Sequence, residues 1–358
     1  MKICLYNVTT TLKIGGIETF YWEIAKELQN RDIKLEIIAG KGNYIKYNDI
    51  PLKMFDFTPR NKILDLGSRF KKWGERISFF KNAYPYLKKQ KYDIFLIHKP
   101  LDFFTAYFMK RDNPNLKTIF VSGGEDFYGF DKFFSKYIDY MFAVSSENKK
   151  IIENRYKREV YVLHNGVDIN IFKPIPEIRK KMREKYNLNN KKVLISVGRI
   201  VALKGYQLVI DVLNKLDDKY IYVIIGNGEY LKTLKQQVQK LQLEKKVIFL
   251  GEIDNNELVY YLNMADVFIQ PTISHEAFGI TLIEAMACNI PVIASYNGGM
   301  KDIIDEDSGL FFEIKNLKDL KDKIEKVFNL NLNPRKRVIE NFTWEKTVNT
   351  LLLKIGVV

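Results

Sequence analysis

The residues best suited to chemistry lie in two stretches of the second half of the chain. Gly198-Arg199 and Lys204-Gly205 follow directly on the apolar run 193–197. Glycine lets the backbone turn and lets a ligand come close to it. Arginine adds a rigid fork of donors and lysine a mobile point charge. Two cations just beyond a parallel strand suit a diphosphate; an exposed loop with two solvated cations is the alternative. The second stretch, 271–288, carries Glu276, Gly279 and Glu284. Gly279 stands where a helix is expected to begin, and the free N–H groups of a helix start bind anions. Glu284 falls more than a turn inside that helix, among Leu282, Ile283 and Met286. A carboxylate there costs free energy unless it has a partner or a task. Accepting two hydroxyl hydrogens from a ribose is such a task; a place on the wet face of the helix is the alternative.

The elements that must position these residues follow an α/β pattern. Short apolar runs at 3–6, 35–39, 94–97, 118–121, 141–144 and 160–163 read as strands of the first half, and 193–197, 221–225, 247–250, 267–269 and 292–294 as strands of the second. Near-continuous apolar runs are what parallel strands covered on both faces look like. Ile17, Phe20, Tyr21, Ile24, Ala25 and Leu28 keep helical spacing. In the second half 206–216, 231–241, 257–264 and 281–288 read as the intervening helices. A linker is expected near 165–190, around Pro174 and Pro176. Trp344, Val348, Leu351 and Leu352 predict a last amphipathic helix. The fold class is α/β, with two Rossmann-like lobes and ligands at the carboxyl ends of the strands.

At 358 residues the chain is long enough for two domains, and 46% apolar with 28% charged residues excludes a disordered or fibrous chain. Two cysteines, Cys4 and Cys288, make no disulfide scaffold. The opening apolar run is too short for a signal peptide, and the longest apolar stretch, 94–109, is interrupted by His98, Lys99 and Asp102, so no membrane span is expected. The net charge of +14 favours anionic partners. It is concentrated in the first half: 1–165 holds 29 basic and 19 acidic residues, 166–358 holds 28 and 24, and 60–91 alone holds ten and two.

Several motifs occur in one order: Gly15-Gly16-Ile17-Glu18, Asn165-Gly166-Val167-Asp168, Gly198-Arg199 with Lys204-Gly205, Gly226-Asn227-Gly228, Phe249-Leu250-Gly251, Glu276 and Glu284 eight positions apart, then 291–295 with Gly298-Gly299. Together they resemble the retaining GT-B glycosyltransferases of family 4, most strongly over 160–300. The resemblance implies two lobes facing across a cleft: 1–165, completed by 343–358, on the acceptor side, and 166–342 binding a nucleotide-sugar donor. It implies that Arg199 and Lys204 hold the donor diphosphate, with Glu276 as the third catalytic candidate. Glu284 would take the ribose. Phe278, Gly279, Ile280 and Thr281 would contact sugar and phosphate, and Gly15 and Gly16 would bring the first lobe's backbone to the donor. Gly198, Gly226, Gly228 and Ile253 would line the nucleotide pocket. No metal ion or other cofactor is expected.

One departure from the family pattern stands after the strand 118–121. A histidine that meets the donor sugar is common there, and this chain has Gly123. His98 and His275 are the candidate substitutes. The loss puts the donor sugar in question, and a sugar without a 6-hydroxyl would fit it. In 60–91, Phe70, Trp73, Ile77 and Phe80 fall near one helical face with Lys71, Lys72, Arg76 and Lys81 around it. That pattern suits an anionic membrane surface; a core-facing helix with a wet basic side is the alternative. Asp305-Glu306-Asp307 reads as a polar turn, and no Cys/His spacing fits zinc. The expectation is thus a metal-independent retaining glycosyltransferase, cytoplasmic or peripheral on the inner face of the membrane. It would use a nucleotide sugar and a glycan or lipid-linked acceptor, of lipopolysaccharide-precursor type, and no nucleic acid. A soluble transferase with a small or protein acceptor, and a non-catalytic nucleotide-sugar or nucleic-acid binder, are the alternatives.

Overall fold

The computed structural model describes residues 1–13 and 15–357. They divide into two compact units, one formed by Met1–Asn165 with the chain from Trp344 onward, the other by Gly166–Thr343.

The first unit is built on seven strands: β1 (Lys2–Tyr6), β2 (Lys34–Gly40), β3 (Leu52–Phe55), β4 (Ile94–Ile97), β5 (Lys117–Ser122), β6 (Tyr140–Ala143) and β7 (Tyr161–Val162). They are parallel throughout, in the order β3-β2-β1-β4-β5-β6-β7. Side chains alternate across a strand. Ile3 and Leu5 of β1 therefore enter one core and Cys4 and Tyr6 the other, which explains the unbroken apolar run. β3 was not among the expected strands. It is a sheet edge whose residues are only half-buried or exposed, so it lacks the continuous apolar signature. The apolar stretch 94–109 breaks at His98-Lys99-Pro100 into a strand and a helix.

The second unit has six parallel strands: β8 (Lys192–Val197), β9 (Tyr220–Ile225), β10 (Val247–Gly251), β11 (Val267–Gln270), β12 (Val292–Ser295) and β13 (Gly309–Phe312). Their order is β10-β9-β8-β11-β12-β13. Each sheet reverses its winding once, between β1 and β4 and between β8 and β11. At such a switch point the adjoining crossovers diverge and leave a crevice at the strands' carboxyl ends.

Six helices frame the two switch points: α1 (Gly16–Gln29), α2 (Ser68–Leu87), α3 (Phe103–Asp112), α4 (Tyr206–Leu213), α5 (Ile280–Ala287) and α6 (Trp344–Lys354). α6 closes the first unit. Its Trp344, Val348, Leu351 and Leu352 are buried with the inner face of α1, and the Trp344 and Phe20 rings lie 6.2 Å apart. Burying leucine- or valine-sized side chains contributes about 1.5–3 kcal/mol each, enough to hold a helix that the chain reaches only after the whole second unit. No helix among the described residues is long and apolar enough to cross a membrane.

Candidate functional site

In the second unit the loops after β8 and β11 flank the switch point and are tied together. Ile273 N–H donates to Leu203 C=O at 2.8 Å. Gly205 has φ +76°, and a Cβ there would run into the Pro271 carbonyl, so this crossing requires glycine. Lys204 thereby comes to Glu276, with Nζ 2.5 Å from Oε2. Gln270 Nε2 donates to the same oxygen at 3.3 Å. The pair is only partly covered, the Lys204 side chain being 30% and that of Glu276 20% exposed, so both groups can exchange partners with a ligand. Arg199 is exposed and makes no ion pair among the described residues.

Gly279, at φ +115°, caps α5. Ile280 and Thr281 open that helix half-buried, and Phe278 is buried with its ring 6.0 Å from that of Phe342. Glu284 lies inside α5 at 5% exposure, which removes the wet-face alternative. Its charge and, above all, burial push the Cys288 thiol up to about 12, so that cysteine is an inert packing residue. Gly226 and Gly228 follow β9, and a Cβ on either would overlap the carbonyl of Gly198 or Ile200. These glycines thus let the β8 and β9 loops lie against each other. Ile253 is half-buried beyond β10, and His275 is exposed.

Asp305 sits in a turn, accepting from Ser308 and pairing with Arg337 at 2.8 Å. Among the described residues no group of three or more His, Cys, Asp or Glu is placed to hold a metal ion.

The switch point of the first unit is of another kind. Gly15 precedes α1 and Gly16 is its first residue. Buried Glu18, in that first turn, accepts from Thr9 Oγ1 at 2.5 Å. His98, immediately after β4, is 3% exposed and lies against Phe20 and Tyr21 at 5.3 and 6.1 Å between ring centroids. Its Nε2 is 2.6 Å from where a Cβ on Gly123 would be, and its Nδ1 has no partner among the described residues. Burial, aided by the Lys99 and Arg76 charges, lowers the imidazole to about 3, so it is neutral at physiological pH. The ring occupies the space a side chain at position 123 would need.

Behind it, Arg76 of α2 pairs with Asp102, both almost wholly buried. This corrects the sequence expectation that Arg76 belongs to a surface ring of cations. The core side of α2 is Phe79, Ala83 and Leu87, and the Phe80 ring packs against those of Tyr84, Phe104 and Phe108 with centroids 4.8–5.2 Å apart. Phe70 and Trp73 remain exposed, joined by Leu64 and Leu66 just before the helix.

Two features escaped sequence reasoning. Gln270 is the polar residue that ends the apolar run of β11, a signal that was there to read. The pairing of Lys72 and Lys99 with Asp126 joins residues 27 to 54 positions apart, and nothing local announces it.

Residues 178–343 match the family Glycosyl transferases group 1, and residues 14–171 match Glycosyltransferase Family 4. An uncharacterized glycosyltransferase of Methanocaldococcus jannaschii is 26% identical over 380 residues, 94% of this chain and 93% of its own. A GDP-mannose-dependent alpha-(1-6)-phosphatidylinositol monomannoside mannosyltransferase of Mycolicibacterium smegmatis is 34% identical over 154 residues, which is 40% of each chain. This chain therefore spans about two fifths of that relative. Among solved structures, Anabaena HepE in complex with UDP and glucose superposes with a TM-score of 0.82 at 19% identity, over 100% of both chains. At that identity the likeness establishes a shared GT-B fold.

Proposed function

Because the chain belongs to the group 1 glycosyltransferases of family 4, we propose that it moves a sugar from a nucleotide diphosphate to a hydroxyl of a lipid-linked or lipopolysaccharide-type glycan precursor, with retention at the anomeric carbon. The unit Gly166–Thr343 takes the donor and the first unit the acceptor. The observation that carries this is the Lys204–Glu276 pair, held by crossed loops at the switch point where α/β sheets bind ligands.

Negative charge builds on the diphosphate as the glycosidic bond breaks. Arg199, Lys204 and the N–H groups at the start of α5 would stabilise that charge where it develops. Lys204 is partly solvated and salt-bridged to one carboxylate, so it can turn to the phosphate without unfolding its loop. Glu276 is then released toward the sugar, and Glu284 takes the ribose. Acceptor attack proceeds on the face the phosphate leaves, with a phosphate oxygen taking the acceptor proton. No metal enters this scheme.

The lipid side rests on the first unit. Leu64 at 72% and Leu66 at 63% exposure, with Phe70 and Trp73, put four of the fifteen exposed large apolar side chains among the described residues within ten positions. Lys62 and Arg69 are exposed beside them. Apolar wedges among cations are the pattern of peripheral attachment to anionic lipid, here at the inner membrane face. The phosphatidylinositol-linked substrate in the name of the mycobacterial relative supports the same class.

The test is a screen of nucleotide sugars against extracted lipid-linked acceptors, with the anomeric proton of the product read by NMR. A product keeping the donor's configuration is expected. An inverted product overturns retention, and product formed only on water-soluble acceptors overturns the lipid-linked class.

A further inference from the structure

Asp126 follows β5 by four residues and is shared by two lysines. Lys72 Nζ lies 3.2 Å from Oδ1 and 3.4 Å from Oδ2, and Lys99 Nζ lies 3.5 Å from Oδ2. Tyr128 OH also donates to Oδ1 at 3.1 Å. The neighbouring charges close one to one: Arg60 with Glu75 at 2.7 Å, and Arg76 with Asp102. These arginines therefore have carboxylates of their own, and Lys72 and Lys99 share the single carboxylate of Asp126. These are not sealed in, their side chains being 32% and 26% exposed. Burial outweighs the help of Asp126 and lowers Lys99, so this ammonium is short of counter-charge. Asp126 itself is lowered, Lys99 and Lys72 overcoming its own burial.

Lys99 stands two residues past β4, next to His98, on the carboxyl side of the first unit's switch point, where a parallel sheet takes its ligand. Lys72 is the neighbour of Trp73 in the exposed apolar turn. A group held by both lysines would lie between the strand ends and that turn.

We propose that Lys72 and Lys99 form a phosphate-binding subsite for the acceptor, in which a phosphate ester or diphosphate takes over the bridging place that Asp126 now fills. This rests on the transferase reading of the first unit. It narrows the acceptor to a phosphorylated molecule, supplied either as a membrane lipid phosphate or as a soluble glycosyl phosphate.

The test uses the full chain carrying Arg199→Ala and Lys204→Ala, so that the donor unit no longer competes for the probe. Inorganic pyrophosphate is titrated calorimetrically. Binding is expected at one site, weakened at least tenfold by adding Lys72→Gln and Lys99→Gln. Asp126→Asn removes the competing carboxylate and is expected to tighten binding several-fold, where a merely structural Asp126 would give weaker or unchanged binding. Absence of pyrophosphate binding, indifference to the two lysines, or weakened or unchanged binding with Asp126→Asn overturns the site. Sedimentation with phosphatidylcholine vesicles, with and without phosphatidylglycerol, distinguishes the source. Vesicle binding lost with the lysines identifies a lipid phosphate. Vesicle binding kept while pyrophosphate binding is lost identifies a soluble one. Nucleoside diphosphate binding by the unaltered chain tests the transferase reading separately.

Discussion

The two sheets share a winding, yet their switch points hold charge in opposite ways. In the second unit Lys204 and Glu276 meet on half-open loops and can exchange partners. In the first, Arg76 and Asp102 are sealed at 3% and 1% exposure, and neutral His98 lies against aromatic rings. The contrast separates a charge pair that solvent can reach from one that is sealed behind its strand ends. A buried ion pair is costly to break and weak as a source of net stability, so its value is in fixing where α2 and the β4 loop sit.

The largest effect is expected at Arg76. Arg76→Ala leaves Asp102 buried without its partner and is expected to destabilise the first unit by about 3–5 kcal/mol, read by chemical denaturation. Replacing both partners, as Arg76→Met with Asp102→Leu, should recover most of that loss. Equal destabilisation by the single and double variants would show that the pair is not what matters there.

Next in size is Lys204→Ala. If this cation contributes about 2–3 kcal/mol more to the transition state than to bound donor, turnover falls roughly 30–150-fold. The melting temperature should stay close to that of the unaltered chain, because the pair is partly solvated. A large drop in stability would move Lys204 into the same class as Arg76.

His98 gives a pH-dependent effect that is smaller within any one pH unit. Its folded-state pKa of about 3 lies below the ordinary 6.5, so the unfolded chain takes up the proton first as pH falls. Stability is therefore fully present above pH 6.5 and is lost on acidification toward 3, by about 1.4 kcal/mol per pH unit at the steepest. His98→Gln should flatten the acid limb of a stability–pH curve, and an unchanged slope would contradict the burial argument. The smallest effect belongs to Arg199→Ala, expected to change stability by less than about 0.5 kcal/mol, as for an exposed surface side chain. Turnover should still fall.

The strands that position both switch points were legible because parallel strands buried on two faces leave unbroken apolar runs, as in β1 and β9. β3 was not, because an edge strand need not be apolar throughout. The returning helix α6 was readable from Trp344, Val348, Leu351 and Leu352, whose spacing demanded a partner. At the candidate site the residue types announced themselves, but their mates did not. The spacing of Glu284 allows a buried or a wet place, and only packing decides between them. Arg76 carries the same side chain whether it faces lipid or Asp102, and of the two histidines weighed against Gly123 only packing sets His98 beside it. Such facts depend on chain segments brought together by the fold, and local spacing does not encode them.

In the proposed function the second unit binds a nucleoside diphosphate through Lys204. Calorimetric titration of UDP, GDP and ADP into the unaltered chain and into Lys204→Ala tests it most directly. One nucleotide should bind at a single site and lose at least tenfold in affinity with the lysine removed. Binding of none of the three, or equal binding by both proteins, would contradict it.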